Sequence, residues 1–126
     1  MTLGLGTQVR PHIERRYSMP WSHPAARLRE LVLAVRAIWD AWDGLAPLDF
    51  RGEFYTHTLM PPAFDPGPAR FGRPSLLLGA VGPHLTRVAA EVGRAMAAAF
   101  AAQKLPATVH LLKAENKGLA VVRRRI

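Results

Sequence analysis

The 126-residue chain contains no cysteine. That excludes a disulfide scaffold, a thiol nucleophile and every cysteine-ligated zinc or iron–sulfur site. Long apolar runs are missing too. The longest stretch without a charged side chain, Pro74 to Thr86, falls short of the about 18 apolar residues that a membrane span requires, so no membrane span is expected. No glycine-rich phosphate loop, nucleophile elbow or dinucleotide fingerprint is present, and Gly4-Leu5-Gly6 has neither a preceding strand nor a third glycine. The histidines His12, His23, His57, His84 and His110 never share metal-ligand spacing. There is no internal repeat and no heptad run. No apolar segment follows the first positive charges, as a secretory signal would need. These absences lead to the expectation of an intracellular, non-enzymatic domain, cytoplasmic or in the mitochondrial matrix, with no cofactor, no metal and no evident small-molecule substrate.

What the chain does carry is positive charge, +8 in total. Residues 1–39 hold six Arg against two acids, residues 40–66 one Arg against five acids, and residues 67–126 ten Arg and Lys against two acids. Arg outnumbers Lys by 14 to 3, and a planar guanidinium grips phosphate in two places and stacks on bases, as an ammonium cannot. GC-rich coding accounts for the ratio equally well. It does not account for the excess of positive over negative charge, which points to a polyanionic partner. The apolar fraction of 49% speaks against disorder.

The pattern along the chain predicts an extended basic arm over 1–21, punctuated by Gly4, Gly6, Pro11 and Pro20, followed by a single α+β domain over 22–126. Ser22 to Asp43 reads as a helix capped by Ser22, with Leu28, Leu31, Val32, Val35, Ile38, Trp39 and Trp42 on one face and Gly44 as the stop. Its charges oppose the helix dipole: Arg27 and Arg29 lie near the positive end, Asp40 and Asp43 near the negative one. An external anion beside Arg27 and Arg29 would rationalise the first pair. Leu48 to Met60 reads as a strand, residues 61–74 as a proline-rich loop and Ser75 to Val81 as a buried strand. A second helix is expected from Pro83 to about Gln103, with Leu85, Val88, Val92, Met96 and Phe100 inward. Thr108 to Leu112 and Leu119 to Arg124 would close the chain as a hairpin turning over Lys113 to Gly118.

The expected architecture is therefore α+β, a two-layer sandwich with two helices packed on a mixed four-stranded sheet, in which Leu76 to Leu112 forms a crossover between parallel strands. Many small RNA-binding α+β domains share this order, although no motif identifies a family. The functional expectation is a structural component of a ribonucleoprotein such as a ribosomal or organellar ribosomal protein, binding RNA, above all rRNA, beside neighbouring proteins of a large assembly. Candidate RNA contacts are Arg10, Arg15, Arg16 and Tyr17 in the arm, Arg27 and Arg29 on the helix, Arg70, Phe71 and Arg73 in the loop, and Arg123, Arg124 and Arg125 at the tip. The competing expectation is a protein–protein assembly subunit, such as a virion or tail-connector protein or an accessory subunit of a large complex. A third, a hydrolase or nuclease, would pair Glu53 with His57. Asp40, Asp43 and Asp49 read as solvated helix-end charges rather than a magnesium site.

Overall fold

Leu3 and Leu5 alternate with Thr2, Gly4 and Gly6, the period of two that suits a strand. The structure, a computed structural model, describes residues 1–80, 82–102, 108–110, 113–115 and 118–120. In it Thr2–Gly6 forms β1 and lies parallel to β4, Ser75–Gly79, with Leu3 opposite Leu76 and Leu5 opposite Leu78. The helix α1, Pro24–Trp42, connects the two strands, and α2, Pro83–Ala102, follows β4. Between α1 and β4 a short antiparallel hairpin pairs β2, Phe50–Arg51, with β3, Thr56–His57. Beyond α2 a second hairpin pairs β5, Lys113–Glu115, with β6, Gly118–Ala120.

Both helices cover one face of the β1–β4 pair. Leu5 and Ala80 pack against Ala25 and Leu28 of α1 and Leu85 and Val88 of α2. Leu3, Leu76 and Leu78 share that face by register. The other face presents Gly4, Gly6, Gly79 and Leu77, the last 55% exposed. Val32 is the most enclosed side chain of α1, and Val92 anchors α2. The helix ends where Gly44 adopts φ +69°. Its N–H reaches the Ala41 carbonyl and the N–H of Leu45 reaches that of Asp40, a left-handed cap that glycine adopts without strain.

The small α+β class is borne out, as are both long helices and the strand from Ser75. The mixed four-stranded sheet is not: the described residues form three separate two-stranded sheets. The parallel partner of β4 is β1, so residues expected in an extended arm are a strand instead, and Thr108 to His110 is not a strand. Residues 111 and 112, the other end of that expected crossover, lie outside the described residues, as does Val81. The last hairpin pairs Lys113–Glu115 with Gly118–Ala120 rather than residues 108–112 with 119–124, and Arg123, Arg124 and Arg125 lie outside the described residues.

The single strand expected over Leu48 to Met60 is folded back on itself, and the cause is Glu30. Its carboxylate accepts the backbone N–H groups of Glu53 at 3.0 Å, Phe54 at 2.7 Å and Tyr55 at 2.7 Å, which bends the chain between β2 and β3. Gly52 leaves room for this carboxylate, which a Cβ there would push aside. Loss of surrounding water raises the affinity of Glu30 for a proton. The three N–H donors and the charge of Arg27 outweigh that effect, and the group is held below the ordinary carboxylate range.

At the other end of α1, Arg73 reaches Asp40 at 2.7 Å and also pairs through Nε with Asp43. This explains the acids that oppose the dipole: they serve a guanidinium from the loop preceding β4. Arg73, 15% exposed, is therefore committed within the fold and is not an RNA contact. Trp42 donates its indole N–H to the Phe64 carbonyl at 3.1 Å and ties down the same loop.

Two tests follow from these tethers. A carboxylate whose folded pKa is depressed adds stability above its unfolded pKa and loses it as pH falls through the folded one. Glu30→Gln should therefore lower the melting temperature at about pH 7, and the two proteins should converge below about pH 4; an equal gap in both conditions would contradict the role assigned to the carboxylate. Arg73→Lys, which keeps charge but loses the fork that spans two acids, should cost about 1 kcal/mol in urea unfolding with an unchanged slope.

Candidate functional site

In parallel α/β structures ligands collect outside the carboxyl ends of the strands. Here the carboxyl end of β1 opens into a 17-residue loop, residues 7–23, before α1 begins. The loop is conformationally unusual. Gln8, Ser18 and His23 have φ of +61°, +53° and +42°, and they are the positive-φ residues other than glycine among the described residues. Each left-handed side chain costs about 1–2 kcal/mol. Residues His12–Arg16 form a π-helical turn, closed by the Tyr17 N–H on the His12 carbonyl at 3.1 Å. The wider π geometry is rare and concentrates at functional sites. Strain gathered in one loop identifies a segment whose shape matters more than its intrinsic preference.

The loop encloses a cavity of about 200 Å³ against the start of α1. Ile13, Met19 and Trp21 wall it from the loop, Leu28 and Leu31 from the helix, and Tyr55 from the bend held by Glu30. Gly6 and Thr7, the last residue of β1 and the next, also line it. Its polar contribution includes Ser22 and Arg27. Arg27 donates from Nε to the Ser22 hydroxyl at 2.9 Å, and its guanidinium lies 4.5 Å from the centre of the Phe54 ring. Ser22 was expected to cap α1. It holds Arg27 instead, and His23 occupies the cap position without a side-chain bond to the helix. A larger cavity of about 710 Å³ lies between the helices and β4, with Trp39, Leu76, Leu78 and Met96 among its walls and Arg36, Asp43 and Arg73 on its polar side. Pro74 and Ser75 at the start of β4 and Ala80 just beyond its carboxyl end also line it.

Several of the described residues singled out as RNA contacts have partners within the fold. Arg10 pairs with Glu14 at 3.0 Å, Arg16 lies 5.8 Å from the Tyr17 ring, and Arg15 is exposed. Arg27 and Arg29, two positions apart, project from opposite sides of α1, since successive residues turn by about 100°; Arg27 lines the small cavity and Arg29 is exposed. Arg70 lies 5.6 Å from the ring of Phe71, which is 94% exposed. Arg51 pairs with Asp49 at 2.8 Å. No group of three or more acids and histidines could hold a metal ion among the described residues, and no helix among them is long and apolar enough to cross a membrane. The cavity residues missed in the sequence are Met19 and Tyr55, whereas Trp21, between Pro20 and Pro24, stood out as a ring for stacking on bases and lines this cavity instead.

Comparison with known proteins places these features. The sequence profile of the luciferase-like monooxygenases matches residues 1–125. Uncharacterised proteins of Mycobacterium bovis and Mycobacterium tuberculosis are each 54% identical over 92 residues, covering 73% of this chain and 27% of theirs. A phthiodiolone/phenolphthiodiolone dimycocerosates ketoreductase of a Mycobacterium species is 33% identical over 99 residues, 79% of this chain and 25% of its own. The chain thus spans about a quarter of the length of these relatives. No solved structure matches it. These matches overturn the expectation of a non-enzymatic RNA-binding or assembly component with nucleic-acid and protein partners and no small-molecule substrate. Net charge misled because it counts arginines without their neighbours, several of which are carboxylates and rings of the same fold. The matched profile covers nearly the whole sequence, and the chain belongs to the luciferase-like monooxygenase family.

Proposed function

We propose that this chain supplies two strand–helix units to an oxidoreductase that acts on a small organic substrate, with the carboxyl end of β1 as part of its working end. The observation that carries the reading is the family match combined with an apolar, aromatic-walled cavity at that strand end. A monooxygenase handles oxygen and a ketoreductase delivers a hydride to a carbonyl. Side chains without cysteine carry neither pair of electrons, so both reactions fall to a cofactor. Flavins are the cofactor class that serves both chemistries.

The residues present fit such a group in kind. Trp21 and Tyr55 offer aromatic surface for a planar ring. When bound, the flavin class supplies the two-electron chemistry. The chain's own contribution is to bind and orient. Trp21 and Tyr55 flank the cavity, Ile13, Met19 and Leu31 exclude water, and Ser22 fixes the rotamer of Arg27. The strained loop, held at one end by β1 and at the other by α1, keeps these groups in place before a ligand arrives.

Fluorescence titration of the purified chain with flavin mononucleotide tests this reading. Saturable quenching is expected, and Trp21→Ala should weaken it by roughly three- to tenfold. The absorbance ratio at 260 and 280 nm before titration should be that of clean protein. Absence of saturable flavin binding would overturn the reading.

A further inference from the structure

Arg27 sits where local helix energetics disfavour it, in the first turn of α1 at the positive end of the dipole. Its surroundings hold it in a specific pose. Ser22 takes its Nε, the Phe54 ring lies against its plane, and among the described residues no hydrogen bond or ion pair occupies its Nη groups. The neighbouring acid, Glu30, has both oxygens engaged by backbone N–H groups. Pro24, Ser22 and Arg27 line the same cavity as Ile13, Trp21 and Leu31. A fixed guanidinium thus lines a cavity with a mostly apolar wall.

We infer that the cavity at the carboxyl end of β1 binds the acidic end of an amphiphilic organic acid, an apolar body terminating in a carboxylate, with Arg27 as the residue that holds the charge. This assignment rests on the β1 carboxyl end being the working end of the molecule, and it adds the substrate class. The carboxylate takes the Nη edge of Arg27, the only edge that Ser22 and Phe54 leave open. The first carbons of the body lie against Trp21, Ile13 and Leu31. A cavity of about 200 Å³ is smaller than the roughly 300 Å³ at which pockets for whole ligands begin, so it accommodates the acidic end and leaves the remainder of the molecule outside. An apolar wall without the arginine would select an alcohol or a hydrocarbon equally well; the arginine without the wall would select inorganic phosphate.

Calorimetric titration of the full chain with octanoate, octan-1-ol and inorganic phosphate tests the assignment. Octanoate should bind roughly tenfold more tightly than octan-1-ol and than phosphate. Arg27→Gln should abolish the preference for octanoate over octanol, and Leu31→Trp, which fills the cavity, should weaken both. Should Arg27→Gln fail to fold, the wild-type chain decides the matter by salt dependence: octanoate binding should weaken as salt is raised, whereas octanol binding should not. Equal affinity for octanoate and octanol, phosphate binding as tight as octanoate, or octanoate binding indifferent to both variants would each overturn it. Flavin binding that persists beside any of those results would leave the oxidoreductase reading standing and remove only the acid-binding assignment.

Discussion

The parallel alignment of β1 with β4 is the constraint from which the rest of the arrangement follows. Two parallel neighbours cannot be joined by a tight turn; the chain must travel back along its own length, and a helix is the usual means. α1 makes that return, and α2 extends over the same face, so the core forms where Leu5 and Ala80 meet Leu28 and Leu85. The same geometry brings the end of β1 and the start of α1 together. The loop that joins them has seventeen residues where a few would suffice, and the surplus length is what builds a wall.

Two polar tethers fix α1 at its two ends. Near its start, one carboxylate collects three consecutive N–H groups and converts an extended run into a bend. At its finish, one guanidinium gathers two carboxylates. Both bring distant segments to the helix, and each uses a charge that helix energetics alone would not favour or would leave in solvent. The first tether has a functional consequence, because the bend carries Tyr55 into the cavity and Phe54 under Arg27.

Periodicity revealed the helices. The three- and four-residue spacing of apolar positions in α1, Gly44 at its end, and Pro83 at the start of α2 were all legible because each signal is local. β1 was hidden because Gly4 and Gly6 read as punctuation, and only pairing with residues seventy positions away gives Leu3 and Leu5 a partner. The break between β2 and β3 was hidden for the same reason: Glu30, its cause, lies more than twenty positions upstream. Asp40 and Asp43 drew notice as misplaced charges, yet nothing local names Arg73 as their partner. Of the cavity, Arg27 was singled out as an anion contact from its position on the dipole, whereas its apolar wall draws on three elements that no sequence window spans. Function was the least legible, since its strongest sign in the chain was a surplus of arginine that the fold partly consumes itself.

The uncovered side of the β1–β4 pair bears on handling. Gly4, Gly6 and Gly79 give it almost no side-chain relief, and a Cβ built at Gly4 meets nothing within 4 Å. Such a surface accepts another polypeptide main chain at close range, and the outer edges of both strands present unpaired ladders among the described residues. Whether the isolated chain stays dispersed in solution is consequently governed by what shields those edges, and electrostatic repulsion from eight surplus positive charges opposes self-association only as long as the buffer is dilute.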